Sequence, residues 1–309
     1  MIINTGQRTD IPAFYARWLC NRLRAGRVLV RNPYNPTSVT AYRLSPEVVD
    51  VIGFCTKNPA PMLPHLDLLR PYGQYWYVTI TPYGREIEPH VPDKRAVLAS
   101  FRRLSDALGP DCVGWRYDPI FLSEDYPVQR HIEAFARIAE GLSGYTHTAV
   151  ISFIDLYEKT KRNFPEARAV VRADRLALGR AFVEIGQKYG LVIRPCGEGD
   201  ELAALGADCS GCMTVAMYEK AAGSRLKVPA FTPSREACAC YLSCDIGAYN
   251  TCGHLCRYCY ANCDARAVRE NMRRHDPASP LLVGRPRPED AVRDAKQLSW
   301  IDPQLRMEF

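Results

Sequence analysis

Cys252, Cys256 and Cys259 are spaced Cys-x3-Cys-x2-Cys near the end of a 309-residue chain, within the run CACYLSCDIGAYNTCGHLCRYCYAN. Three thiolates at this spacing can close round one corner of a metal centre and leave a fourth position for an outside ligand. Iron–sulfur clusters usually take four cysteine thiolates, so a set of three leaves one iron open. The alternative is a structural zinc site, which closes all four positions with protein ligands. Cys256 and Cys259 would then supply one pair, completed by His254 or Cys263. On the cluster reading those two residues lie outside the ligand set.

A second cysteine group precedes the first. Cys209-x2-Cys212 and Cys238-x-Cys240 are two close pairs, with Cys196 and Cys244 in reserve. Four thiolates in paired spacing suit either zinc or an iron–sulfur cluster. An auxiliary [4Fe–4S] cluster is the favoured reading, and thiols without metal the alternative. Cys196 follows an expected strand end and could replace Cys209 as a ligand.

The chain carries 13 cysteines, nine of them from Cys209 to Cys263. No secretory pattern is visible in the opening MIINTGQRTD, so metal or redox chemistry is expected in place of a disulfide framework. No apolar run approaches the ~20 residues that a membrane helix needs, and a cytoplasmic location with no membrane partner is expected. A composition of 47% hydrophobic and 24% charged residues is that of an ordinary globular protein. The net charge of +6 permits a nucleic acid or a phosphorylated cofactor as partner without requiring either.

The elements that must position these cysteines alternate. Apolar runs at Met1–Thr5, Val48–Phe54, Tyr75–Ile80, Cys112–Trp115, Thr148–Phe153 and Leu191–Ile193 predict buried strands. Helical spacing is read after Asp10, which caps a helix with Pro12 at its first position, and over Pro64–Leu69, Asp93–Leu108, Val128–Leu142 and Asp174–Tyr189. Strands of this kind alternating with helices predict an α/β fold with a parallel sheet, as a partial or full (β/α) TIM-like barrel. Polar residues at the strand ends would then converge on one mouth. The reading divides the chain into barrel elements over 1–205, a cysteine-rich region over 206–275 that completes the barrel, and a Pro-rich strap over 276–309. Helices are expected at Thr214–Ala222 and Ala261–Arg274, an irregular stretch at Gly223–Pro233, and a short helix near Pro288–Leu298.

The cysteine spacing, with Tyr258 in the aromatic slot before Cys259, resembles the cluster motif of radical S-adenosylmethionine (SAM) enzymes. Thr56-Lys57-Asn58-Pro59, Ile87-Glu88-Pro89 and Arg116-Tyr117-Asp118-Pro119-Ile120 look like signatures of the group near spore photoproduct lyase. There, similar elements follow the cysteines; here they precede them. The chain, over roughly residues 1–263, resembles an uncharacterised bacterial family of circularly permuted radical SAM barrels. The position before Thr56 is Cys55, where that family usually carries a tryptophan, and Gln7 stands where a small or basic residue is commoner.

The resemblance implies an oxygen-sensitive enzyme with a [4Fe–4S] cluster on Cys252, Cys256 and Cys259. SAM would complete the open iron and be cleaved reductively, and hydrogen would be taken from an unidentified substrate. Arg8, Asp10, Lys57, Asn58, Arg116, Asp118 and Tyr258 are the candidate SAM-binding residues, with Arg116 or Lys57 on its carboxylate and Asp10 or Asp118 on its amine. Asp10 as a helix cap and Asp118 as a turn residue are the bland alternatives. Cys55 and Tyr117 are the catalytic candidates, Cys55 as a hydrogen-atom donor or a simple volume change. A flavodoxin or ferredoxin would supply electrons. The reading from another class is a zinc- or iron–sulfur-stabilised nucleic-acid-binding or repair protein without radical chemistry.

Overall fold

The computed structural model describes residues 1–230, 238, 240, 241 and 244–302. Strand β1 (Ile2–Asn4) leads into helices α1 (Ile11–Phe14) and α2 (Ala16–Arg24), then the hairpin β2 (Arg27–Arg31) and β3 (Ser38–Arg43). Next come β4 (Val51–Thr56), a 3-10 stretch at Ala60–Leu69, β5 (Gly73–Thr79), α3 (Lys94–Leu108) and β6 (Val113–Ile120). After them follow α4 (Val128–Leu142), β7 (Thr148–Phe153), α5 (Glu158–Asn163), α6 (Arg172–Tyr189) and β8 (Val192–Pro195). The later elements are α7 (Val215–Ala222), β9 (Cys244–Asp245), α8 (Ala265–Arg273) and β10 (Ala291–Asp294).

Seven strands form one sheet in the order β8-β7-β6-β5-β4-β1-β9, with every pairing parallel. The expected mixed α/β architecture is therefore present. Strand β9 comes from the cysteine-rich region yet pairs beside β1, with Ile3 opposite Cys244 and Asn4 opposite Asp245. Among the described residues β8 and β9 stand at opposite edges and do not pair with each other, so no closed barrel is formed.

Both faces of the sheet are buried, which is why its strands read as continuous apolar runs. Side chains alternate across it. Trp76 and Val78 of β5, and Trp115 and Tyr117 of β6, join the core under the helices with Phe101, Phe135 and Phe182. Tyr75 and Tyr77 point the other way, into a core with Cys212, Met213, Met217 and Tyr218. Phe54 stacks on Trp76 with ring centres 3.8 Å apart, and Phe135 on Phe182 at 4.1 Å.

Several elements depart from expectation. Proline at positions 61 and 64 removes backbone donors, and the segment there is a 3-10 stretch at Ala60–Leu69 instead of an α-helix. The helix after Asp10 breaks at Tyr15 into two, with Pro12 at its second position. The short helix expected near Pro288–Leu298 is the strand β10, because β3 offers it an open ladder: Ala291 lies opposite Ser38 and Asp294 opposite Ala41. The ion pair of Arg31 with Asp290 holds the start of β10 against this second sheet. Strand β6 runs on to Ile120 and so contains Arg116 and Asp118. Pro303 of the expected strap and residues 231–233 of the irregular stretch lie outside the described residues. Among the described residues, no helix is long and apolar enough to cross a membrane.

Gly73 opens β5 against α7, where an added Cβ would sit 2.8 Å from the Ala221 carbonyl oxygen and 2.9 Å from the Ala222 Cα. The obstruction is backbone and cannot swing aside. Gly73→Ala is therefore expected to cost about 1–3 kcal/mol, the usual range for overpacking. An unchanged urea midpoint would mean that α7 is not seated there.

Candidate functional site

Because the strands of the main sheet run parallel, their C-terminal ends lie along one edge, the usual location of ligand sites in such sheets. A cavity of about 500 Å³ opens there. Every main-sheet strand contributes to its wall: Gln7, Thr9 and Asp10 after β1, Cys55–Lys57 at β4, Thr79 on β5, Arg116 and Asp118 on β6, Ser152–Asp155 at β7, Cys196 after β8, and Cys252, Cys256, Tyr258 and Cys259 after β9. Cys212, Met213, Cys238 and Cys240 complete it.

The first polar centre is Asp10. Its Oδ1 accepts from Ala13 N at 3.0 Å, capping α1, and from Thr56 Oγ1 at 2.6 Å. Its Oδ2 accepts from Lys57 N at 2.7 Å and lies 2.9 Å from His254 Nε2. The cap reading of Asp10 is thus correct, and its role is wider than a cap. His254 sits inside the cysteine loop, its Nδ1 3.3 Å from the His90 carbonyl. Leu255, the next residue, adopts a positive φ of 54°, which turns the chain between His254 and Cys256. A non-glycine residue in that region stores local strain that the surrounding contacts must hold.

The second centre is Glu88, buried behind Lys57. Its carboxylate accepts from Lys57 Nζ at 2.8 Å and Thr81 Oγ1 at 2.8 Å, and also from Lys94 and the Tyr258 hydroxyl. Burial pushes the Glu88 carboxyl up, but Lys57 and Lys94 outweigh it and hold it at about 2. Lys57 lies 5.6 Å from the centre of the Tyr258 ring. Tyr258 is therefore tied to Glu88 by its hydroxyl and to the cysteine loop by its backbone.

The third centre joins Arg116 and Asp118, two residues apart and hence on one face of β6. Arg116 Nε donates to Asp118 Oδ2 at 2.8 Å, and Ser152 Oγ donates to Oδ1 at 2.6 Å. Arg116 also lies over the Tyr77 ring at 5.3 Å and donates to Cys212 Sγ at 3.7 Å.

Cys252, Cys256 and Cys259 share the cavity wall and are partly buried there. Burial pushes all three thiols up, Cys256 to about 12, with Lys57 partly offsetting the effect at Cys256 and Cys259. Three partly buried thiols beside one cavity suit a cation, since a coordinating metal deprotonates a thiol outright and supplies the charge that burial disfavours. The residue types suit an iron–sulfur cluster, while among the described residues no group of three or more side chains is already arranged to hold a metal ion.

Four expected site residues lie elsewhere. Tyr117 points to the opposite face of β6 from Arg116, into the core, with its hydroxyl 2.8 Å from His131 Nδ1. Alternation along a strand requires that outcome. Asn58 turns back on the chain, its Oδ1 accepting from Ala60 N at 3.3 Å. Arg8 lies 5.7 Å from the centre of the Tyr249 ring, off the cavity wall. Cys209 packs at the edge of the helix-side core, while Cys196 takes its place beside Cys212. Cys55 does line the cavity, and burial pushes its thiol up to about 12. Gly6 lies against it: an added Cβ there would be 2.5 Å from the Cys55 carbonyl oxygen.

Sequence reasoning passed over Lys94, Ser152 and Asp245. Asp245 accepts from Gln7 N and Gly247 N, each at 2.8 Å, and burial raises its carboxyl to about 6. Nothing in the local sequence distinguishes Lys94 from other lysines at a helix start. Ser152 was findable, being two residues from Val150 on the cavity side of β7.

Fold and site together define an α/β protein with a parallel sheet and a cysteine-lined cavity at its C-terminal edge. Residues 2–261 match the family described as "Domain of unknown function (DUF1848)", and the chain belongs to that family. No curated protein matches. Among solved structures, a candidate alpha-L-fucosidase from Bacteroides thetaiotaomicron is similar at 13% identity, covering 53% of this chain and 62% of its own, with a TM-score of 0.30. A likeness that faint carries no argument about activity.

Removing the Glu88 charge should destabilise the fold. Its pKa is lower when folded than the ordinary 4.5, so its contribution is full above that value and is lost as pH falls toward 2. Glu88→Gln leaves two lysines uncompensated and is expected to cost about 3–5 kcal/mol at pH 7. The gap from the parent protein in urea melts should narrow between pH 5 and the acid limit of folding. A gap that does not change with pH would refute the ion-pair account.

Proposed function

We propose that the chain is a radical SAM enzyme built on a circularly permuted sheet. Cys252, Cys256 and Cys259 would hold a [4Fe–4S] cluster, and SAM would occupy the open iron and the adjoining cavity. One observation carries the reading: β9 precedes the cysteine loop in the chain but lies next to β1 in the sheet. The loop therefore comes to the same edge as the Thr56-Lys57, Glu88-Pro89 and Asp118-Pro119 elements that precede it in sequence. A permutation of a radical SAM chain requires that arrangement. The cavity of about 500 Å³ is of ordinary size for a cofactor-sized ligand.

When bound and reduced, the cluster supplies one electron for the reductive cleavage of SAM; a flavodoxin or ferredoxin is the proposed donor. The protein's part is position and exclusion of water. Lys57 and Arg116 are the groups on the wall that can grip a carboxylate, and Asp118 can take an amine. Asp10, with four donors already on its carboxylate, holds the loops together instead of the ligand. Cys55 keeps its S–H and faces the cavity, where a hydrogen-atom donor would have to be.

Anaerobic reconstitution with iron and sulfide should give a brown protein that, with a reductant, converts SAM to methionine and 5′-deoxyadenosine. Cys256→Ala should lower that conversion by roughly 100-fold or more, beyond the 10–100-fold cost typical of changes outside the ligand set. Cys209→Ala, at a residue that does not line the cavity, should not. Undiminished cleavage by Cys256→Ala would sink the assignment.

A further inference from the structure

The second cysteine group is drawn together from three parts of the chain. Cys196 follows β8, Cys212 precedes α7, and Cys238 and Cys240 precede β9; all four line the cavity. Cys212 Sγ lies 3.3 Å from Cys196 Sγ and 3.0 Å from Cys240 Sγ. Cys240 Sγ also accepts two backbone N–H groups, from Cys212 at 3.2 Å and Met213 at 3.3 Å. Arg116 donates to Cys212 Sγ at 3.7 Å.

We propose that Cys196, Cys212, Cys238 and Cys240 bind a single Zn²⁺ as a tetrathiolate, separate from the Cys252, Cys256 and Cys259 group. The close spacing of Cys196, Cys212 and Cys240, with Cys238 beside them on the cavity wall, favours this over an auxiliary iron–sulfur cluster. Zinc–sulfur bonds of about 2.3 Å in a tetrahedron place the sulfurs about 3.8 Å apart. The separations of 3.0 and 3.3 Å need to open by less than about 1 Å to reach that shell. A four-iron cluster puts each thiolate on a different iron and would have to drive these sulfurs several times further. Among the described residues no set of three or more side chains is already arranged to hold a metal ion, so binding requires this opening.

Charge is compatible with zinc, although it does not separate zinc from a four-iron cluster, whose oxidised core carries the same charge. Four thiolates around a dication leave a net charge of roughly −2, which a buried site must offset. Arg116 and the N–H groups of Cys212 and Met213 already point at two of the sulfurs. Such N–H···S contacts favour the thiolate over the thiol. The zinc would act as a clasp, holding the segment before α7 and the segment before β9 together on the sheet, where Tyr241 N already donates to Met213 O at 2.8 Å.

The test uses the full chain carrying Cys252→Ser, Cys256→Ser and Cys259→Ser together, so that it stands apart from the radical SAM reading. The purified protein should hold about one zinc per chain. Exchange with Co²⁺ should give the sulfur-to-cobalt charge-transfer and visible bands of a tetrahedral all-thiolate site. In this background Cys212→Ser and Cys240→Ser should lower zinc occupancy by about 10-fold or more, whereas Cys209→Ser should leave it unchanged. Iron with inorganic sulfide in place of zinc, no stoichiometric metal, or full zinc retention in Cys212→Ser would each overturn the proposal. The cobalt spectrum is read on the triple-serine parent, so it reports the ligand set even if a further cysteine substitution fails to fold.

Discussion

A buried carboxylate is tolerable only when donors surround it, and Asp10 meets that condition with partners from its own helix and from two distant parts of the chain. The amide of Ala13 fixes the start of α1, Thr56 and Lys57 fix the end of β4, and His254 fixes the cysteine loop 244 residues away. Each partner is itself satisfied by this contact. The loop bearing Cys252, Cys256 and Cys259 is therefore held against the sheet edge by a hydrogen-bonded centre, in addition to the short pairing of β9 with β1. The rest of the cavity inherits its shape from that tie.

Charges on the cavity wall are matched before any ligand enters. Lys57 and Lys94 converge on Glu88, and Arg116 is paired with Asp118, which is steadied by Ser152. Pairing of this kind lets cations sit in a partly buried wall, and it fixes their direction. The result is a preorganised polar surface, the arrangement in which fixed dipoles and charges act most strongly on a bound group.

Two thiol groups border one cavity and differ in setting. Cys252, Cys256 and Cys259 lie on a single loop, with burial disfavouring their anions and Lys57 the nearby cation. The other group is assembled from separate segments, with sulfurs in mutual contact and N–H donors aimed at them. A strand-end loop can present ligands at a set spacing, whereas a clasp needs segments brought from afar. The shared wall places Arg116 at the second group and Lys57 at the first.

Much of this was legible in the residues. Apolar runs alternating with amphipathic segments gave the parallel α/β sheet, because strands buried on both faces cannot alternate in polarity. The Cys-x3-Cys-x2-Cys spacing marked the first thiol group, and Asp10 before Ile11-Pro12 marked a helix cap. Period-2 alternation would also have separated Arg116 and Asp118 from Tyr117 once β6 was known to continue through them. The hairpin β2–β3 escaped notice and β10 was read as a short helix, because short strands of a small sheet have weak patterns and β10 exists only where β3 presents a free ladder. Local spacing favoured Cys209, yet Cys196 meets Cys212 because β8 ends beside the loop before α7. Lys94 became part of the site only when α3 docked over Glu88. Strand and helix periods and the spacing of the thiols on one loop can be read along the chain, since these depend on neighbours a few residues away. Which thiols meet, which charges pair and which loops share a wall was decided by the tertiary structure, since strand order brings together groups that are more than 100 residues apart in the chain.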